Sequence, residues 1–204
     1  MHISFDFDYT LADSSEGAIV CANYALDKLG MPPRDRASIV PTIGLTLEKT
    51  FERLTGSSDP EEAQLFKRHF LDHARHAMLA HIRFFDVTRG MLQALKARHH
   101  YISIVSTKER ERIEDALARD GLANLVDHVV GGSCVANNKP HPEGLLIPRE
   151  QTIYVGDSVS DGECAARANV PFVGVLSGTT SAEVLSEWGP WKLLPHVGAL
   201  ASLL

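Results

Sequence analysis

The chain has 204 residues, 44% of them hydrophobic and 23% charged, so it can bury a sizeable core and is neither a disordered nor a fibrous sequence. Its formal net charge of -6 argues against a nucleic-acid or anionic-membrane partner. No apolar run approaches the roughly 20 residues of a membrane span, and Asp6 and Asp8 break the first apolar stretch, which argues against a signal peptide.

In chain order, His2–Phe7 reads as a strand in which Ile3, Phe5 and Phe7 alternate with Ser4, Asp6 and Asp8. Ser14 or Ser15 can cap a helix that runs to about Gly30, where Gly30-Met31-Pro32-Pro33 stops it. Further helices are expected over about 45–54 and 60–82, and no strand stands out between residues 14 and 84. Beyond residue 85 the pattern alternates. A helix over 88–99 precedes a strand at Tyr101–Val105, and a helix over 109–120 ends at Gly121 before a strand at Val126–Val130. Ile153–Val155 is another strand, with a helix from there to about Ala168; a Pro171-interrupted strand at Val170–Val175 leads to a last helix from about Ser181. Alternation of this kind implies right-handed crossovers and a parallel sheet covered on both faces. The expected architecture is α/β: a Rossmann-like core from residues 1–13 and 85–204, with an all-helical insert over 14–84. Cys21, Cys134 and Cys164 match no zinc or redox spacing, so buried free thiols in a reducing cytoplasm are expected.

Two apolar strands end in aspartate. Asp6 and Asp8 follow the first, and Ile153-Tyr154-Val155-Gly156-Asp157 carries the other, with Asp161 four residues further on the same face of the next helix start. A lone DxD is more often a polar strand-to-loop junction. Two such ends in a parallel sheet place their carboxylates together at its carboxyl edge, where open α/β sheets bind ligands. Clustered carboxylates repel one another unless a cation sits among them, and hard oxygen donors without His or Cys suit Mg²⁺. Ser106 and Thr107 follow the Tyr101–Val105 strand at the same edge, and Lys139 sits in a turn stiffened by Pro140 and Pro142. Small hydroxyls and a lysine are what a phosphoryl group needs opposite its metal, although each alone is ordinary loop chemistry.

The four stretches Asp6-Phe7-Asp8-Tyr9-Thr10, Ser106-Thr107-Lys108, Lys139-Pro140-His141-Pro142 and Gly156-Asp157-Ser158-Val159-Ser160-Asp161 together resemble the haloacid dehalogenase superfamily, in its order and at its spacings. The insert resembles the small helical cap of phosphoglycolate-phosphatase-like members. Tyr9 and Thr107 depart from that family's common Gly and Asn. The resemblance implies a phosphatase acting on a small phosphorylated metabolite such as phosphoglycolate. Asp6 would be the nucleophile and Asp8 the acid and base, with Thr10 orienting Asp8 and Ser106, Thr107 and Lys139 around the phosphoryl group. Mg²⁺ would be held by Asp6, the Asp8 carbonyl and Asp157, with Asp161 in or just outside its shell. Thr42 and Gly44, in Pro41-Thr42-Ile43-Gly44, resemble a cap loop that would contact substrate.

Other chemistries of the same superfamily fit less well. Dehalogenases lack an acid at the position of Asp8. Phosphonatases need a cap lysine, and Lys28, Lys49 and Lys67 do not match that motif. Phosphosugar mutases use a histidine soon after the first motif, and none lies between His2 and His69. A non-catalytic phosphate-binding protein is the alternative from another class; the filled catalytic positions argue against it. His69, His73 and His76 share a helix face and could bind Zn²⁺, yet Phe66, Phe70, Ala74 and Ala77 beside them mark a buried stripe that the histidines merely edge.

Overall fold

The computed structural model describes residues 1–146 and 151–204, the side chain of His76 excepted. The chain forms two compact units, one from Met1–Asp13 with Phe84–Leu204 and one from Ser14–Arg83.

The first unit is built on a six-stranded parallel sheet. Its strands are β1 (His2–Phe5), β4 (Tyr101–Val105), β5 (His128–Val130), β6 (Thr152–Gly156), β7 (Phe172–Val175) and β8 (Lys192–Leu194), and their order across the sheet is β5-β4-β1-β6-β7-β8. A short two-stranded sheet joins β2 (Ala12–Asp13) to β3 (Arg83–Phe84). The strands β1 and β7 are buried throughout, as expected of a parallel sheet covered on both faces. The covering helices are α5 (Asp86–Ala97), α6 (Arg110–Arg119), α7 (Val159–Ala168), α8 (Ala182–Ser186) and the short α9 (Leu200–Leu203). Register decides what happens at the sheet's carboxyl edge. Phe5 is level with Ile104 on one side and Val155 on the other, so Asp6, Ser106 and Asp157 all emerge at one edge within a residue of each other. At the opposite end His2 bridges the same three strands, its ring nitrogens 2.7 Å from Ser103 Oγ and 3.1 Å from Thr152 Oγ1.

The second unit contains α1 (Ser15–Lys28), α2 (Arg36–Ile39), α3 (Leu47–Thr55) and α4 (Pro60–His81). Cys21, Ala22, Ala25 and Leu26 of α1, Phe51 and Leu54 of α3 and Phe66, Phe70, Ala74 and Met78 of α4 are buried. Helices α1 and α4 approach closely at Gly17, where an added Cβ would lie 2.4 Å from Met78 Sδ. Asp59 caps α4 through Glu61 N–H and Glu62 N–H, and Gly56, with φ 77°, ends α3 in the left-handed conformation.

Several expectations differ from the structure. The first strand stops at Phe5 because Asp6–Thr10 turns away from the ladder. The strand expected at Val170–Val175 is β7, Phe172–Val175, which starts after Pro171, a residue with no N–H for pairing. Arg83–Phe84 is a strand inside the stretch read as helical, and β8 was not anticipated: its Lys192-Leu193-Leu194 is too short to show a period. Cys21 and Cys164 are buried free thiols, but Cys134 is exposed. His73 stacks on Tyr24 with ring centroids 4.0 Å apart and planes 11° from parallel, a packing role; the His76 side chain lies outside the described residues. No helix among the described residues is long and apolar enough to cross a membrane.

Candidate active site

The turn after β1 is tight. Leu11 and Ala12 N–H both donate to the Phe7 carbonyl (2.9 and 3.1 Å), and Tyr9 N–H donates to Ala12 O (2.7 Å). This turn presents Asp6 and Asp8, both buried, beside Asp157 from the end of β6 and Asp161 from the first turn of α7. Carboxylate oxygens of Asp6, Asp157 and Asp161 lie within 4.8 Å of one another.

Lys139 enters this cluster with a side chain only 5% exposed. Its Nζ is 2.7 Å from Asp6 Oδ1 and 2.6 Å from Asp161 Oδ1, and it donates to the Tyr154 hydroxyl at 3.1 Å. Asp6 thus shares the Lys139 ammonium with Asp161 in a close, buried ion pair. Asp161 is fully committed. Its Oδ1 also accepts from the Tyr154 hydroxyl (2.9 Å), and its Oδ2 accepts from Ser158 N–H (3.0 Å) and Ser158 Oγ (2.6 Å). Ser158 accepts in return from Asp161 N–H, a capping box that starts α7. Only glycine fits at 156, since a Cβ there would lie 2.4 Å from Asp161 Cγ.

Electrostatics follow from burial. Desolvation raises the Asp6 pKa to about 6; Lys139 opposes the rise, and Asp161 and Asp8 add to it. Burial, then Asp161 and Asp6, pushes Asp157 well above the usual carboxylate range. Burial alone would lower Lys139, but Asp161 and Asp6 together hold it above its ordinary value. Cys164, behind the cluster, is pushed up to about 12 by burial, which leaves it an unreactive thiol. Were Asp6, Asp8, Asp157 and Asp161 all ionised, they would outnumber the neighbouring ammonium groups of Lys139 and Lys108 by two, and that excess adds to burial in raising Asp6 and Asp157. The clustered carboxylates and the all-oxygen donor set fit a hard divalent cation.

The expected residues do not all take their expected places. Thr10, expected to orient Asp8, donates its hydroxyl to Asp157 Oδ1 at 3.1 Å. The salt bridge that holds Asp8 comes from Lys108, whose Nζ lies 3.0 and 3.1 Å from its two oxygens. Ser106 is buried beside the cluster and its Oγ accepts from Lys108 N–H at 3.4 Å; Thr107 is half-buried. Thr42 is buried, and its hydroxyl donates to Ile39 O at 2.7 Å, closing a helical turn. Gly44, by contrast, is open, with φ 93° and no atom within 4 Å of a built Cβ. Of the three cap lysines, Lys28 lies 5.2 Å from the Tyr24 ring centroid and Lys67 pairs with Glu48 at 2.8 Å. Sequence reasoning missed Lys108 and Tyr154. The one available signal for Lys108 was its position two residues beyond Ser106, at the end of a strand.

The sequence matches the model of the haloacid dehalogenase-like hydrolases over residues 3–175. It is 30% identical over 201 residues to a phosphoglycolate phosphatase from Colwellia psychrerythraea, covering 91% of this chain and 88% of that one. A pyrophosphatase from Listeria monocytogenes is 27% identical over 209 residues, covering 98% and 94%. The crystal structure of a haloacid dehalogenase-like hydrolase from Bacteroides fragilis superposes with a TM-score of 0.92 at 37% identity, covering 97% of this chain and 98% of that one. The chain belongs to the haloacid dehalogenase-like hydrolase family, on the phosphatase side that phosphoglycolate phosphatases represent.

Proposed function

We propose that the chain is a Mg²⁺-dependent phosphatase of small phosphate monoesters that works through an aspartyl phosphate on Asp6. The observation that carries this reading is the convergence on Asp6 of Lys139, whose Nζ lies 2.7 Å away, and of Asp157, with a carboxylate oxygen within 4.8 Å of one of Asp6's. Asp6, Asp157 and the Asp8 carbonyl would hold the ion, and Asp161 would stand behind it, fixing Lys139. The bound ion supplies neutralisation of the phosphoryl oxygens and lets the carboxylates coexist ionised.

In the first half-reaction an Asp6 oxygen attacks phosphorus, the bond from phosphorus to the leaving oxygen breaks, and Asp8 delivers its proton to that oxygen. The products are an alcohol and the aspartyl phosphate. In the second, Asp8, now a carboxylate, takes a proton from water as the water oxygen attacks phosphorus. The bond from phosphorus to Asp6 breaks, releasing orthophosphate and restoring both carboxyl groups. Lys139 and Ser106 would bind phosphoryl oxygens, and Lys108 would fix the Asp8 carboxylate. The unit of residues 14–83 is assigned as a mobile cap, because the chain leaves the core just after Asp8 and returns at Phe84.

Phosphoglycolate is the first candidate substrate, on the 30% likeness to a phosphoglycolate phosphatase, and pyrophosphate the comparison. The test is a panel of phosphate esters and pyrophosphate assayed with Mg²⁺ and with excess chelator. Turnover of a monoester that vanishes with chelator and returns with Mg²⁺ is expected; full turnover in chelator contradicts the proposal.

A further inference from the structure

Tyr9 occupies the left-handed region at φ 60°, a conformation strained for a residue with a side chain. It lies between Asp8 and Thr10, the first salt-bridged to Lys108 and the second bonded to Asp157. A rotation of the Tyr9 backbone would therefore swing both side chains. Its carbonyl accepts a 2.5 Å hydrogen bond from Ser177 Oγ, a contact across 168 residues of sequence.

The next residue, Gly178, lies against the other arm of the site. A Cβ built there would sit 1.8 Å from Asp157 Oδ2 and 2.6 Å from its Cγ, so the Gly178 backbone forms one wall of that carboxylate. Strand β7 carries both residues to this place. It pairs in parallel with β6, Val173 level with Val155 and Gly174 with Gly156, and the chain beyond Val175 crosses the edge where Asp157 emerges.

We propose that Ser177-Gly178 is a positioning clamp: Ser177 holds the strained Tyr9 turn that aims Asp8 and Thr10, and Gly178 sets the place of the Asp157 carboxylate. Neither residue touches the reacting atoms. The inference builds on the proposed reaction, but its geometry stands apart from it.

The test compares Ser177→Ala, Ser177→Thr, Tyr9→Gly and the double variant. Ser177→Ala should lower kcat for p-nitrophenyl phosphate about 5–10-fold with KM nearly unchanged, the worth of one hydrogen bond. Ser177→Thr, which keeps the hydroxyl, should recover most of that loss. In the Tyr9→Gly background, where φ 60° is unstrained, Ser177→Ala should cost less than about 2-fold. Equal losses in both backgrounds, or no loss in either, overturn the clamp. An arm independent of turnover is amide exchange: in Ser177→Ala the Tyr9 and Ala12 amides should exchange about tenfold faster while Ile104 in β4 stays unchanged. Unchanged exchange at Tyr9 and Ala12 overturns the proposal; a wild-type chain that hydrolyses nothing, yet shows this exchange pattern, overturns the proposed reaction alone. Gly178→Ala should abolish turnover with Ile104 exchange intact, and native turnover in that variant would remove the second half of the clamp.

Discussion

Asp6→Asn should make the metal-free protein more stable, not less. Burial pushes the Asp6 carboxyl up to about 6 in the folded chain, from its ordinary 3.8. Below pH 3.8 the group is protonated in both states and favours neither. As the pH rises from 3.8 to about 6, the unfolded chain releases its proton while the folded chain retains it, so stability falls. Above that window the cost of an ionised Asp6 is fully present. The difference between 3.8 and about 6 sets a ceiling of about 3 kcal/mol on that cost. Asparagine removes that cost but also takes one partner from Lys139, which keeps Asp161 at 2.6 Å. The net gain expected in chelator at pH 7.5 is about 1–3 kcal/mol, and it should shrink towards zero near pH 4. Urea denaturation of both proteins at the two pH values, in chelator and then with Mg²⁺, reads it out. With saturating Mg²⁺ the order should narrow or invert, because the wild type binds the ion more tightly and gains accordingly. A variant less stable than wild type at pH 7.5 in chelator, or a gain that does not depend on pH, would refute the reasoning.

Thr10→Val removes the hydroxyl that orients Asp157, so half-saturation by Mg²⁺ should rise about 10–100-fold, the usual effect of losing a ligand's supporting hydrogen bond; unchanged metal dependence contradicts it. Tyr154→Phe removes a hydroxyl that accepts from Lys139 and whose one proton is shared between Asp161 Oδ1 and the Val105 carbonyl, both 2.9 Å away, which should cost about 1–3 kcal/mol in urea denaturation. A variant of native stability would show that this hydroxyl is dispensable. Lys139→Ala should lower kcat/KM about 10²–10³-fold for every ester alike, whereas substitution of Gly44 should change the ratios between esters. A common factor across all esters for the Gly44 variants would make the cap a structural support.

The site was legible in the sequence where it depends on strand ends. Asp6, Ser106 and Asp157 each follow an apolar run, and a parallel sheet in register brings such ends together with no further information. Lys139 and Asp161 were legible as part of a set of four motifs, but the bond between them was not. What stayed hidden are pairings across long stretches of chain. Nothing local to Lys108 says that it meets Asp8, 100 residues earlier, and nothing local to Ser177 points to Tyr9. Tyr154 reads as one more apolar strand residue, since its hydroxyl finds Lys139, Asp161 and Val105 O only after three segments meet. The Thr42 hydroxyl bond to the Ile39 carbonyl, which closes a turn, was likewise not legible from the neighbouring Gly44. The helical insert was legible from its period, while Arg83–Phe84 and Lys192–Leu194 were too short to show one.

The central claim is that Asp6 carries the phosphoryl group. Rapid mixing of the enzyme, Mg²⁺ and a ³²P-labelled ester, with acid quench within the first turnover and peptide mapping, tests it most directly. The account predicts label on the peptide that contains Asp6, released by mild base or hydroxylamine as an acyl phosphate, and no label in Asp6→Asn. Rapid turnover with no labelled protein at any quench time, or label on a peptide that lacks Asp6, would contradict it.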